Sequence, residues 1–214
     1  ALRGAHPESP CILGYRQVSK LRSTYIDALL RKLGPDGRIH TFFDHTGTAT
    51  GRISSAEPNL QNIPVRTELG REIRRAFVAS PGCVLVDADY SQIELRILAH
   101  FSGDAAMIDA FRRGQDIHAR TAAEVAGVPL EDVTPTMRAH AKAVNFGLVY
   151  GISDFGLARN TGMSRKEAAA FIEKYFATYP GVRGFMDRAV KEGYETGMAR
   201  TIFGRVRRLD ELKS

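Results

Sequence analysis

Residues Met137–Gly151 read MRAHAKAVNFGLVYG, with Arg138, Lys142, Phe146 and Tyr150 at strict four-residue steps and Gly147 and Gly151 among them. On an α-helix each such step turns only about 40°, so the four side chains form one slowly winding stripe, two cations followed by two rings. Ala141, Val144 and Leu148 fall on roughly the opposite face, as a core-facing set should. A charged helix face is usually just solvated. Here the outward face also carries two large aromatics and a helix-weakening glycine, a costly arrangement unless something lies against it.

The surrounding composition is that of a globular protein. The chain has 214 residues, 43% of them hydrophobic and 25% charged, room for one large or two small domains with a real core. No apolar run approaches the roughly 20 residues of a membrane span, and the opening ALRGAHPESP lacks the apolar stretch of a signal peptide. The two cysteines, Cys11 and Cys83, sit in apolar surroundings and read as buried thiols of a reducing cytosol, not as a zinc site. A net charge of +6 is compatible with a polyanionic partner without identifying one.

Along the chain, apolar positions from Ile12 to Leu33 recur at helical spacing until Gly34-Pro35. RIHTFFDHTGTATGRIS reads as a strand or hairpin, and SAEPNLQNIPVR as an ordered loop whose Leu60, Ile63 and Val65 need burial. CVLVDADY reads as a buried strand. SQIELRILAHFS follows at once as a helix with Ile93, Ile97, Leu98 and Phe101 inward. Helices are expected at 105–113, 116–126 and 135–150. Another starts at Ser164, where SRKE is a capping box, and Pro180 separates it from one ending near Gly193. ARTIFGRVRR is a short apolar strand closing in a basic cluster. The fold class is α+β and helix-rich, a mixed beginning followed by a long helical half.

The chemistry concentrates in two places. In LVDADYSQIELR, Asp89 ends the expected strand, where a carboxylate is exposed at a sheet edge and can hold a divalent metal. Glu94, in the first turns of the next helix, can point back over the same pocket, although both carboxylates would also simply favour a helix N-terminus. Asp87 shares the face of Asp89 and is a weaker candidate. In the stripe, Arg138 and Lys142 supply donors for a triphosphate, and Phe146 and Tyr150 supply flat faces for a base or sugar. One helix could hold a nucleotide lengthwise, with Gly147 allowing its close approach and Gly151 ending the helix.

DYSQIELR and the RxxxKxxxFGxxYG of Arg138, Lys142, Phe146-Gly147 and Tyr150-Gly151 resemble motifs A and B of family A DNA polymerases, the bacterial DNA polymerase I type. TATGRISSAEPNLQNIPVRTELGREIRRAF resembles that family's palm segment before motif A, DIHARTA its fingers helix, and KYFATYPGVRGF the segment after motif B. The resemblance runs from Ala1 to about Arg208, in the family's order. It implies a partial right-hand polymerase fold: a thumb-to-palm helix over 1–34, a partial palm with motif A over 35–99, helical fingers with motif B over 100–205, and a short end over 206–214.

The resemblance also implies roles. Asp89, with the Tyr90 carbonyl, would bind the catalytic Mg²⁺ ions that serve dNMP transfer from dNTP to a primer 3′-hydroxyl. Arg138 and Lys142 would bind the triphosphate, with Lys142 donating a proton to the leaving group. His118 would add a phosphate contact, although alone it reads equally as a surface histidine in a helix cap. Glu94 would be the gate against a ribose 2′-hydroxyl, Tyr150 would hydrogen-bond Glu94 and stack at the templating position, and Phe146 would pack on the incoming sugar. Arg52, Asn59, Asn62 and Arg66 would contact primer–template DNA, with Gln92 close to them and to the nucleotide. Arg205 and its basic neighbours would meet template phosphate, or form a solvated cluster.

A third family motif, a His-Asp-Glu turn carrying the second metal carboxylate, has no match here, since Asp210-Glu211 lacks the preceding histidine. The expectation is therefore a fragment with an incomplete two-metal site and little or no independent catalysis, located in the cytoplasm. Its expected partners are primer–template DNA, dNTP and a complementary polymerase fragment. The rival reading is a non-catalytic DNA- and nucleotide-binding fragment, or one half of a split polymerase. The DFG at Asp154–Gly156 lacks a glycine-rich loop or His-Arg-Asp loop upstream and does not make the chain a kinase.

Overall fold

A computed structural model describes residues 6–65 and 67–213, which leaves Arg66 outside the described residues. The chain divides into two compact units, Ala1–Asp87 and Ala88–Ser214. The fold is a helix-rich α+β arrangement with two small two-stranded sheets.

The first unit opens with α1 (Ser9–Leu21), which passes through a π-helical stretch, Arg22–Asp27, into α2 (Ala28–Leu30). This is the single helical run that the apolar spacing predicts. Its stripe is not core, however: Ile12, Tyr15 and Val18 are exposed, and only Leu29 is buried. The hairpin follows as β1 (Phe42–Asp44) and β2 (Ser54–Ala56), antiparallel with Phe43 opposite Ser55. The loop after it is ordered by hydrogen bonds more than by burial. Thr41 Oγ1 reaches Pro58 O at 2.8 Å and Ser55 Oγ at 2.7 Å, while the buried Ser55 hydroxyl accepts from the Leu60 N–H at 3.0 Å. Leu60 and Ile63 are half-buried and Val65 is exposed. The next element, α3 (Glu68–Arg75), is short, with Leu69 and Ile73 one turn apart. It is set by its cap, the Thr67 hydroxyl accepting from the Gly70 N–H at 3.1 Å.

The expected buried strand CVLVDADY is the main departure. Residues 83–90 form no strand, and Val84, Leu85 and Val86 are exposed. A fully apolar run of this kind is stable as a central strand only when neighbouring strands satisfy its backbone and cover both faces. No strand pairs with it among the described residues. Both cysteines, expected to be buried, are exposed for related reasons: Cys11 lies on α1, which buries no residue, and Cys83 opens the unpaired run. The unit also carries an apolar groove of about 900 Å³, lined by Tyr25, Leu29, Leu33, Ile73, Phe77 and Leu85 among others. With so little apolar surface buried, local opening should be cheap here. Limited proteolysis is expected to cut within residues 78–87 well before any site in the second unit; first cleavage within the helices after Ala105 would contradict this.

The second unit is built of helices α4 (Ile93–Ser102), α5 (Ala105–Arg112), α6 (Ile117–Ala126), α7 (Pro135–Val149), α8 (Asp154–Thr161), α9 (Arg165–Thr178) and α10 (Pro180–Thr196). Their starts follow local chemistry. Asp104, Asp116, Thr134 and Ser153 each accept a backbone N–H of the first turn, and Ser164 with Glu167 closes the expected capping box. The core joins Leu95, Met107, Ile117, Val144, Leu157, Tyr175 and Val182, with neighbours from every helix. Helix α4 is rotated from its expected pose: Leu98 is buried as expected, but Leu95 and Ala99 join it inward, while Ile93, Ile97 and Phe101 keep about two fifths of their surface exposed. Phe101 instead stacks on Phe185 of α10 at 5.5 Å. The expected terminal strand is a hairpin of β3 (Met198–Arg200) and β4 (Val206–Arg208), entered through Gly197. Among the described residues no helix is long and apolar enough to cross a membrane.

Candidate nucleotide-binding site

Helix α7 presents the stripe as its spacing requires. Ala141, Val144 and Leu148 are buried, Arg138, Lys142 and Tyr150 are exposed, and Phe146 is half-buried. Pro135 follows the Thr134 cap in the first turn, and Gly151, at φ +73°, takes the left-handed turn that ends the run. The stripe is also tied to its surroundings. The Tyr150 hydroxyl donates to Glu94 Oε1 at 2.6 Å, linking the end of α7 to the first turn of α4. Gln92, which precedes α4, is itself left-handed at φ 54°, a conformation non-glycine residues adopt only at some cost.

The two cations differ. Arg138 Nε donates to Asp116 Oδ2 at 2.7 Å, whereas Lys142 has no carboxylate partner among the described residues. Asp116 also caps α6, its Oδ1 accepting from the N–H groups of His118 (2.9 Å) and Ala119 (3.2 Å). Burial pushes its carboxyl up, but Arg138 and these two N–H groups outweigh that and hold it below the usual carboxylate range. His118 is no surface histidine. It is 3% exposed, its ring centroid 5.6 Å from that of Phe146. Burial lowers its pKa; Asp116 opposes the shift, and Arg138 and Lys142 reinforce it.

Asp89 and Tyr90 lie in the exposed irregular segment before α4, not at a strand end, and Asp87 with them. No three His, Cys, Asp or Glu side chains come together to hold a metal ion among the described residues. The donor set here therefore does not fit a complete two-metal centre, which needs several carboxylate oxygens converging on each ion. The DNA-contact candidates Arg52, Asn59 and Asn62 are exposed, and the Asn59 Oδ1 accepts from the Gln61 N–H at 2.9 Å. Arg205 sits at the turn of the last hairpin, its carbonyl accepting from the Thr201 N–H at 2.9 Å.

The family model for DNA polymerase family A matches residues 1–214. The chain belongs to DNA polymerase family A. It is 56% identical over 210 residues to DNA polymerase I of Caldicellulosiruptor bescii, covering 98% of this chain and 25% of that protein. It is also 56% identical over 205 residues to DNA polymerase I of Geobacillus stearothermophilus, covering 95% and 23%. Among solved structures it resembles the POL domain of Pol1 from M. smegmatis in complex with DNA primer-template and dNTP, with a TM-score of 0.88, 45% identity, and coverage of 99% of this chain and 37% of that one. The chain thus spans about a quarter of the length of the curated relatives it matches.

Two features of this family A segment escape a reading by periodicity. Asn145 is fully buried beside the apolar face of α7; a polar residue at a core position is a signal, but not one that names its partner. Gly147 serves packing. A Cβ there would meet Ile152 Cγ2 at 2.6 Å, where the chain folds back and the Ile152 N–H donates to the Gly147 carbonyl at 2.8 Å. Gly147→Ala is therefore expected to destabilise, because an overpacking cost towards the upper part of about 1–3 kcal/mol exceeds the roughly 1 kcal/mol that alanine gains in a helix. In an Ile152→Ala background the sign should reverse. Denaturant unfolding of the four variants checks this, and equal effects in both backgrounds would rule the contact out.

Proposed function

We propose that this segment serves template-directed DNA synthesis as the nucleotide-holding part of a polymerase. The observation that carries the reading is the exposed stripe of α7, cations then rings, with its last ring tied to Glu94. Family membership and a structural neighbour described as complexed with primer-template and dNTP support it. Lys142, unpaired with any described carboxylate, would meet the triphosphate and donate a proton as pyrophosphate leaves. Arg138 would exchange Asp116 for phosphate oxygens, its planar guanidinium gripping two oxygens of a tetrahedral phosphate in place of the carboxylate. Phe146 would lie against the sugar, with Gln92 close by, and Tyr150 would support the templating position.

Arg52, Asn59, Asn62 and Arg66 would hold the primer–template through its backbone and minor groove, where acceptors recur in every base pair and reading them checks geometry, not sequence. Arg205 would meet template phosphate. Asp89 and the Tyr90 carbonyl would contribute to the Mg²⁺ site; with no converging carboxylates described beside them, no step of the chemistry is assigned to metal in this chain. The same reading places the protein in the cytoplasm with the DNA it would copy.

The incomplete donor set also favours a second reading, a DNA- and nucleotide-binding fragment without catalysis of its own, or one half of a split enzyme. Primer extension with Mg²⁺, with and without a polypeptide supplying the remaining palm, separates the two. Extension only on complementation supports a split active site. Failure in both arms with retained, salt-dependent DNA binding supports the binding fragment. Within an extending complex, Glu94→Ala is expected to relax discrimination against ribonucleotides by about tenfold or more, the order of one steric or hydrogen-bonded contact at the sugar. Unchanged sugar selection would remove Glu94 from the gate.

A further inference from the structure

His118 belongs to a buried polar relay whose proton directions follow from the Asn145 amide facing it through Nδ2, with Asn145 Oδ1 lying 3.4 Å from Thr121 Oγ1. The Thr121 hydroxyl has one proton, and its shortest contact is the Ile117 carbonyl one turn back, at 2.7 Å. Having donated there, Thr121 Oγ1 can only accept from its other neighbours, the Tyr179 hydroxyl at 3.1 Å and Asn145 Nδ2 at 3.2 Å. The second Asn145 Nδ2 proton then points at His118 Nδ1, 3.0 Å away. Amide nitrogen only donates, so Nδ1 must be bare and the ring proton must sit on Nε2. Asn145, Thr121 and Tyr179 are all fully buried, so no solvent competes for these bonds and the order is rigid.

We propose that Asn145 is a positioning residue for His118: its amide N–H fixes the ring as the Nε2–H tautomer and so makes Nε2 a donor, the form that can serve a triphosphate oxygen. The second half rests on the nucleotide reading above; the first does not. The charged groups that face the ring are Asp116 at the start of α6 and Arg138 and Lys142 on α7; burial and the two cations favour the neutral ring and outweigh Asp116, which favours the charged one. A neutral ring can donate from Nε2 only if something else claims Nδ1, and Asn145 does so.

Nitrogen-resolved NMR of the imidazole rings in the 214-residue chain, with His118 assigned by its loss in His118→Gln, is expected to show Nδ1 bare and Nε2 protonated at neutral pH. Asn145→Asp places an acceptor where the donor was. Nδ1 should become protonated and the His118 midpoint should rise by about one pH unit or more. Titration with dGTP supplies a second readout. The affinity of Asn145→Asp relative to the parent should be near unity at low pH, where the imidazolium keeps its Nε2–H. It should fall about tenfold as pH rises through the new midpoint, when that proton is lost. A loss of the same size at every pH would mark a purely structural asparagine and overturn the proposal. So would a protonated Nδ1 in the parent chain, a result that needs no variant to fold. If the tautomer is as stated and reverses in Asn145→Asp, but His118 does not respond to dGTP, the tautomer assignment stands and the triphosphate role of His118 fails.

Discussion

Replacing Lys142 with alanine in an extending complex is expected to lower the rate of nucleotide addition by a factor of about 10²–10⁴, the range for losing a positioned proton donor. Duplex affinity should stay nearly unchanged. The reason is geometric. Lys142 is exposed in the middle of the α7 stripe with no carboxylate partner among the described residues, while Arg138, one turn earlier, is held by Asp116. An ammonium that neutralises nothing in the resting fold loses no internal bond when phosphate arrives, so its interaction is available to the reaction. Arg138 must first give up a 2.7 Å contact, and Arg138→Ala should show a smaller net effect on nucleotide affinity than its charge alone suggests. Single-turnover extension measured beside duplex binding decides the matter. If duplex affinity fell as far as the rate, Lys142 would be a DNA contact and the triphosphate role would be wrong.

The second large effect concerns the core that holds α7 in place. Tyr175 is wholly buried, edge-on to Tyr179 at 5.0 Å and to Phe176 at 5.6 Å. Tyr175→Ala should cost about 3–5 kcal/mol, the range for truncating a large buried aromatic, enough to unfold much of the second unit given typical domain stabilities. Tyr175→Phe should be nearly neutral, because the Tyr175 hydroxyl is buried without a protein partner among the described residues. Tyr179→Phe should cost about 0.5–1.5 kcal/mol, because the Tyr179 hydroxyl bonds Thr121. Both phenols are held protonated by burial well above their ordinary range, so these differences should not depend on pH near neutrality. Chemical denaturation of the three variants tests the ordering; a Tyr175→Phe loss as large as that of Tyr179→Phe would contradict it.

What could be read along the chain was whatever depends on neighbours in sequence. The extent of α7, its Thr134 and Pro135 start, its Gly151 stop and the division of its faces follow from residues within a few turns of one another. The same holds for the Ser164–Glu167 box and the hairpin that pairs Phe43 with Ser55. Short helices were harder to see. Helices α3 and α8 depend on single capping hydroxyls, Thr67 and Ser153, a weak signal in a polar stretch.

The readings that failed all needed a partner that local sequence does not specify. CVLVDADY has the composition of a central strand, but a strand is made by neighbours, and none pairs with it here. Cys11 and Cys83 looked buried because adjacent residues are apolar, yet burial requires a covering surface. On α4 both candidate faces are apolar, so periodicity could not say that Leu95 and Ala99 would turn inward and Phe101 would find Phe185.

Sequence alone determined the stripe of α7, because an i, i+4 pattern becomes a face as soon as the helix forms, and it determined the polymerase family through motifs that keep their order and spacing. Only the tertiary structure decided that Arg138 rests on Asp116, that Tyr150 meets Glu94, and that Asn145 faces His118. Each of these bonds joins residues far apart in the chain, and hydrogen-bond partners are chosen by packing distance and by which protons remain unclaimed, neither of which a linear string records.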